Sequence, residues 1–295
     1  MRAALLMFGS TMFFGAMTVA IRLASETLHA FEIAFFRNFF GLMIALPLLL
    51  RHGPGLLKTA RLPRYVFRCA IGIASMLAGF WAIGHLPLAQ AVALSYSSPI
   101  FVTIAAGILL HERVRARRWA AVALGFIGVL VIVRPGTDSF SAGTLIALLA
   151  AVLSGVVSIQ IKQLSATEPA DRIVLLTTLL WVPMSLAPAL TVWEWPQGIA
   201  WVWVIAAGAM GTGGHMLWTR ALKLGDVSAL TPITFMQLPL VAAAGWWLFR
   251  EPVDRWTAIG AGVIFAANAY IAHREARLAR RDATHAPVEA AKPGE

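Results

Sequence analysis

Charge is scarce in this 295-residue chain: Asp, Glu, Lys and Arg together make up 13%, and there is one cysteine, Cys69. With hydrophobic residues at 59% and a mean hydropathy of +0.75, an ordinary water-soluble globule is excluded. The lone cysteine excludes an intrachain disulfide, and beside Arg68 at the start of an apolar stretch it reads as an inert packing residue. No Asp or Glu lies in the middle of any apolar stretch: Glu32 sits near an end, while Glu112 and Glu251 sit at turns, where pairing with Arg113 or Arg250 is expected. The sequence also lacks a Gly-rich phosphate loop, a His and Cys cluster for a metal, and a Gly-x-Ser-x-Gly nucleophile elbow. No cofactor and no metal are therefore expected.

What fills the chain instead is a series of ten apolar stretches, at 3–19, 33–50, 70–83, 88–110, 119–133, 142–161, 173–192, 200–217, 227–249 and 256–272. Lipid offers backbone N–H and C=O groups no partner, so each must be a helix of about 20 residues to cross a core of roughly 30 Å. The expected fold is all-α, a polytopic membrane protein with ten transmembrane helices. The first stretch is longer than the apolar part of a signal peptide and nine more follow, so it is taken as a span. The net charge of +10 is not spread like a nucleic-acid footprint. With the N-terminus in the cytoplasm, 19 of the 24 Lys and Arg fall in inward segments. Outward segments hold four, Arg22, Arg134, Arg250 and Arg255, and Arg37 is left inside a span. That asymmetry places both termini in the cytoplasm, in the inner membrane. A lipid bilayer and a small molecule are the expected partners, with a homodimer as an open option and no nucleic acid.

The chain also matches itself. Gly15 and Arg22 align with Gly155 and Lys162 at a shift of 140, and Ala82, Leu88 and Glu112 with Ala221, Val227 and Glu251 at a shift of 139. Trp119, Ala121 and Gly125 then align with Trp256, Ala258 and Gly262. Five spans per copy is an odd number, so the second enters the membrane upside down, the inverted-repeat plan of transporters with a midplane site. The expected units are two inverted five-helix repeats at 1–136 and 137–275, followed by a disordered cytoplasmic tail at 276–295. Ala121 to Gly125 and Ala258 to Gly262 are small-xxx-small pairs suited to helix packing or dimerisation.

In order and spacing these residues resemble the drug/metabolite transporter superfamily, in particular its ten-helix exporters built from two EamA-type repeats. The resemblance rests on Phe36-Arg37-Asn38, on Ala82 through Leu88 to Ala93, on Pro99, on Leu109-Leu110-His111-Glu112-Arg113, and on Gly125, Gly128 and Arg134-Pro135-Gly136. In the second half it rests on Trp218 through Ala221-Leu222 to Ala229, on Pro239, and on Phe249-Arg250-Glu251-Pro252. It implies export of small metabolites, with a cavity lined by spans one, three, four, six, eight and nine, and the aromatic and neutral amino-acid exporters look nearest. Thr177 stands near the position of Arg37 in the second copy, so a role for that arginine is asymmetric.

Polar groups at bilayer depth cost energy and face protein or water, which makes them the candidate site. Arg37 leads, with Asn38 and a neighbouring helix as partners; structural anchoring and binding of a substrate carboxylate both stay open. Span eight puts Gly208, Thr212, His215 and Thr219 on one face with Trp218 alongside, expected to look inward. Span six offers Ser158 and Gln160; span four offers Gln90, Ser95 and Tyr96 around Pro99; span nine offers Thr231 and Gln237 between Pro232 and Pro239. Proline removes one intrahelical bond and clashes with the preceding turn, so these three prolines are expected hinges. Met76, Phe80 and Trp81 supply an adaptable apolar wall. Trp193, Trp195, Trp201 and Trp203 are read as an interfacial belt.

The function expected from all this is inner-membrane export of small neutral or zwitterionic metabolites, foremost aromatic or hydrophobic amino acids, by alternating access. With no buried acid, facilitated diffusion is the simpler coupling, and a proton relay would fall to His215 or His85. The alternatives are an exporter of lipophilic drugs or organic cations, an intramembrane enzyme using Ser95 with His85 or His215, and a membrane scaffold.

Overall fold

A computed structural model describes residues 2–52, 59–109, 116–137, 140–165, 167–224, 230 and 233–284. Every regular element among them is a helix: α1 (Arg2–Ala24), α2 (Ala30–His52), α3 (Leu62–His85), α4 (Leu88–Ser95), α5 (Ser98–Leu109), α6 (Ala116–Val133), α7 (Ala142–Ser165), α8 (Ala170–Ala189), α9 (Ala200–Leu224), α10 (Gln237–Phe249) and α11 (Arg255–Thr284). Arg2–Ala24, Leu62–His85, Leu88–Ile108 and Ala142–Ile161 are long and apolar enough to cross a membrane, and Trp119–Val133, Leu175–Ala189 and Gln237–Phe249 are shorter apolar helices. The chain is a polytopic, all-helical membrane protein.

Local chemistry sets the element ends. His29 precedes α2, and Glu32 three residues on reaches back to the His29 N–H at 2.9 Å, a capping box that satisfies a donor the helix leaves orphaned. Glu32 is fully buried because it also accepts the N–H of Glu194, from the loop before α9. The end of α10 is closed by Arg250 in the left-handed region at φ 57°, its N–H bonded to the carbonyl of Gly245.

Span four is two helices, and the break is not at Pro99 but ahead of it. Pro99 stands in the first turn of α5, where a missing N–H costs nothing. Its ring excludes the carbonyl four residues back, that of Ser95, and α4 ends there. Residues 276–284, assigned above to a disordered tail, instead continue α11 as helix; Ala, Arg and Leu in this stretch are strong helix formers.

The strongest helix pairings read the same when the first five spans are exchanged with the last five. α1 lies along α9 and α3 along α7; α2 lies against α9 and α3 against α8; α10 touches α1 and α5 touches α7. α6 and α11 pair with each other, and so do α2 and α8. In the α6/α11 seam the backbones meet at Gly128, where an added Cβ would stand 2.8 Å from the Gly260 carbonyl oxygen. The small-xxx-small expectation thus finds its contact at Gly128 and Gly260, while Gly262 faces open space. The main core joins α1, α2, α3 and α9 around Ile21, Ile33, Phe36, Phe80 and Val204. Trp193 and Trp201 pack on it, their rings 5.5 and 5.4 Å from Phe36, so only the exposed Trp195 keeps the belt position expected of the group.

Candidate functional site

The broken middle of span four faces the start of α10, and the backbone groups released there are met by side chains. Tyr96, in the gap between α4 and α5, donates its hydroxyl to the carbonyl of Thr234 at 2.5 Å and lies 3.2 Å from Gln237 Oε1. Gln237 Nε2 donates to Thr18 Oγ1 of α1 at 3.4 Å, and Asn268 Nδ2 of α11 donates to the Tyr96 carbonyl at 2.8 Å. The Tyr96 ring stacks on Phe235 at 4.4 Å between centroids, and Phe235 meets Phe265 edge-on at 4.6 Å. Four spans therefore converge on one partly buried cluster that pairs hydroxyl, amide and carbonyl groups with a flat aromatic wall. Thr18 and Asn268 went unnoticed in the sequence; their one signal is a polar residue deep in an apolar run.

Arg37 is elsewhere. Its guanidinium lies in the seam of α2 and α9, behind α1: a Cβ on Gly211 would stand 2.8 Å from Arg37 Nη2 and 2.9 Å from Met17 Sδ. Nη1 donates to Asn38 Oδ1 at 2.9 Å, Nε has no partner, and the residue is 8% exposed. Asn38 in turn donates to Ser185 Oγ of α8 at 3.2 Å and to Met76 Sδ of α3 at 3.6 Å. The asymmetry expected from Thr177 is offset by another residue. Arg68 of α3, likewise buried, donates to Thr177 Oγ1 of α8. A buried guanidinium thus lies in the α2/α9 seam and another ties α3 to α8, the seam that corresponds to it when the halves are exchanged, contributed by different helices.

The other candidates divide between packing and access. Thr212 donates to the Gly41 carbonyl at 3.2 Å and Gly208 lies against Phe40, so this stretch of the α9 face expected to look inward is instead given to α2; glycines on both helices let the backbones approach. His215 is exposed and meets Phe14 edge-on at 5.0 Å, Trp218 is exposed on the next turn, and Thr219 bonds back to the His215 carbonyl. Phe80 belongs to the core, with Met76 and Trp81 packed against it. Ser158 bonds back to Ser154, Gln160 Oε1 is buried without a partner, and Gln90 is half-buried. Pro239 is exposed in the first turn of α10, and Thr231 and Pro232 lie outside the described residues. Ser95 donates to its own helix at the Val92 carbonyl, 2.7 Å away, while His85 is stacked on Trp81 at 3.8 Å and His215 is against Phe14. No nucleophile and base are assembled from these three.

Outside the spans, Glu251 does not pair with Arg250. It takes Arg22 of α1 at 2.7 Å and, with its other oxygen, the N–H of Leu88 at 2.8 Å. The signal was present in the repeat, where Arg22 with Lys162 and Glu112 with Glu251 are basic and acidic matches at span ends. Glu168, in the loop ahead of α8, is held below the usual carboxylate range by hydrogen bonds from Arg172 and from Thr59, each at 2.8 Å.

A bundle in which one span breaks opposite the start of another, at a polar and aromatic cluster, is the architecture of a membrane transporter for small molecules. The comparisons name the group. The model of the EamA-like transporter family matches residues 1–134 and again 141–272, and the chain belongs to that family. It is 31% identical over 230 residues to a riboflavin transporter of Vibrio cholerae, covering 77% of this chain and 76% of that protein. It is 29% identical over 254 residues to an S-adenosylmethionine uptake transporter of Rickettsia felis, covering 86% of each. It is 31% identical over 264 residues to the pseudopaline exporter CntI of Pseudomonas aeruginosa, covering 86% of this chain and 90% of that one. A solved crystal structure shares the fold, with a TM-score of 0.63 over 92% of this chain and 98% of that chain, at 21% identity. This protein is a small-metabolite transporter.

Proposed function

We propose that the protein exports small neutral or zwitterionic metabolites, foremost aromatic and hydrophobic amino acids, through a site between two inverted repeats at 1–136 and 137–275. In this reading the protein lies in the inner membrane with both termini in the cytoplasm and the Arg22 end facing outward, which the distribution of its basic residues supports. The observation that carries the proposal is the Tyr96 cluster. Its stacked ring and Phe235 offer a face to a flat or apolar side chain, and Gln237, Thr18 and the released carbonyls offer donors and acceptors to a zwitterionic head. The substrates named for the relatives fit such a site in part: S-adenosylmethionine carries an amino-acid head and a flat ring, and riboflavin a flat ring. Arg37, behind α1, serves to hold α2 on α9.

Coupling in this reading is by facilitated diffusion, supported by the lack of a carboxylate or histidine among the described residues of the cluster. The test is counterflow of labelled phenylalanine and tryptophan in liposomes containing only this protein, with and without a pH gradient. Counterflow without a gradient is expected. Strict dependence on the gradient would refute the facilitator, and inertness toward every amino acid, with movement of riboflavin or S-adenosylmethionine, would refute the substrate class.

A further inference from the structure

At the end of the bundle that carries Arg22, one carboxylate of the second half ties two elements of the first. Glu251, two residues beyond α10, receives Arg22 Nη2 on Oε1 at 2.7 Å and the N–H of Leu88, the first residue of α4, on Oε2 at 2.8 Å. Arg22 is committed on its other side: Nη1 donates to the carbonyls of Ile83 and Gly84 at the corner between α3 and α4, and the guanidinium lies 5.6 Å from the centroid of Phe249. Both partners are partly withdrawn from water, with side chains 20% and 17% exposed, so the pair is not a freely solvated surface contact. The carboxylate also sits where the orphan N–H groups and positive end of α4 favour an anion.

The three elements held here are three of the four that reach the Tyr96 cluster, α11 being the fourth. α4 runs from Leu88 at the carboxylate to Ser95, one residue short of Tyr96, α10 runs from Gln237 to the turn bearing Glu251, and α1 carries Thr18 one turn before Arg22. Between the two ends Leu88, Val92 and Val241 form a buried apolar cluster. A helix backbone is stiff over so short a length, so separating the halves at Glu251 moves the two sides of the cluster apart. Resting on the alternating-access reading above, we infer that Arg22 and Glu251 are positioning residues of the transport cycle. Their ion pair, with the Glu251 to Leu88 bond, is the latch that keeps the Tyr96 site closed toward the Arg22 end and that must break for it to open there.

The test uses side-specific labelling and needs no substrate. In a Cys69→Ala background, Val92→Cys places the one thiol in the apolar cluster beneath the latch, and Thr27→Cys, exposed at the same end, is the control for orientation. Reaction with a membrane-impermeant maleimide added to spheroplasts is timed with and without Glu251→Gln or Arg22→Gln. Each latch variant is expected to speed labelling at position 92 by about 5- to 150-fold, the range of ordinary coupling between two states, and to leave position 27 unchanged. Unchanged labelling at 92 in either variant, in protein that remains monodisperse, overturns the latch. Should Glu251→Gln fail to fold, Arg22→Lys keeps the charge but shortens its reach, and the same comparison applies. Failure of amino-acid counterflow with accelerated labelling would sink the substrate reading and leave the latch standing.

Discussion

Removing the buried charge at Arg37 is expected to leave the protein as stable as before or more so, whereas removing its acceptor, Asn38, is expected to harm it. An arginine deep in a span costs about 2.5 to 3.5 kcal/mol to insert. The bond from Nη1 to Asn38 Oδ1 returns about 1.5 to 3 kcal/mol, as hydrogen bonds to charged groups do, and the unpaired Nε returns nothing. Arg37→Met removes cost and return together and fills similar volume, so the variant should gain between zero and about 2 kcal/mol. Asn38→Leu keeps the charge and takes away the acceptor and the link to Ser185, a loss of about 2 to 3 kcal/mol. At about 2 to 4 °C per kcal/mol, Asn38→Leu should lower the midpoint of thermal unfolding by about 4 to 12 °C and Arg37→Met should not lower it. The double variant should behave like Arg37→Met, because with the cation gone the acceptor matters less. The assay is thermal unfolding of detergent-solubilised protein followed by tryptophan fluorescence, with counterflow measured on the same preparations. An Arg37→Met protein that melts as early as Asn38→Leu would refute the accounting. One that melts normally but no longer transports would move Arg37 from the α2/α9 seam to the substrate.

Tyr96→Phe keeps the stack on Phe235 and loses the hydroxyl, so counterflow should slow by about 2- to 10-fold, the value of one hydrogen bond, while Tyr96→Leu should slow it further. Gly128→Ala pushes a methyl group against the Gly260 backbone and should cost about 1 to 3 kcal/mol in thermal unfolding, while Gly262→Ala, with open space around it, should be neutral or gain up to about 1 kcal/mol; equal effects would mean the α6/α11 seam is not close-packed. Because the Glu168 carboxyl is depressed in the fold, its contribution to stability is present above the ordinary glutamate range and is lost as pH falls through its lower folded value. Glu168→Gln should therefore melt earlier than the parent at pH 7 and together with it at acid pH; identical melting at both would rule out the tie from Thr59 and Arg172.

What the sequence determined by itself is whatever the bilayer dictates residue by residue. Apolar length demands helices, and a proline in span four demands a break. These are local or one-dimensional properties, and they set Tyr96 beside Pro99 and Gln237 between Pro232 and Pro239. Which polar residues meet depends on how the helices are turned about their axes, and Ala- and Leu-rich helices carry little information about that. So only the tertiary structure decided that Thr212 faces α2, that Arg37 lies behind α1 while Thr18 and Asn268 reach the Tyr96 cluster, and that Arg68 answers Thr177. It also decided that Glu251 passes over its neighbour Arg250 for an arginine 229 positions away, because packing α1 along α9 and α10 brings Arg22 within reach, and Arg250, turned into the left-handed region, closes α10 instead.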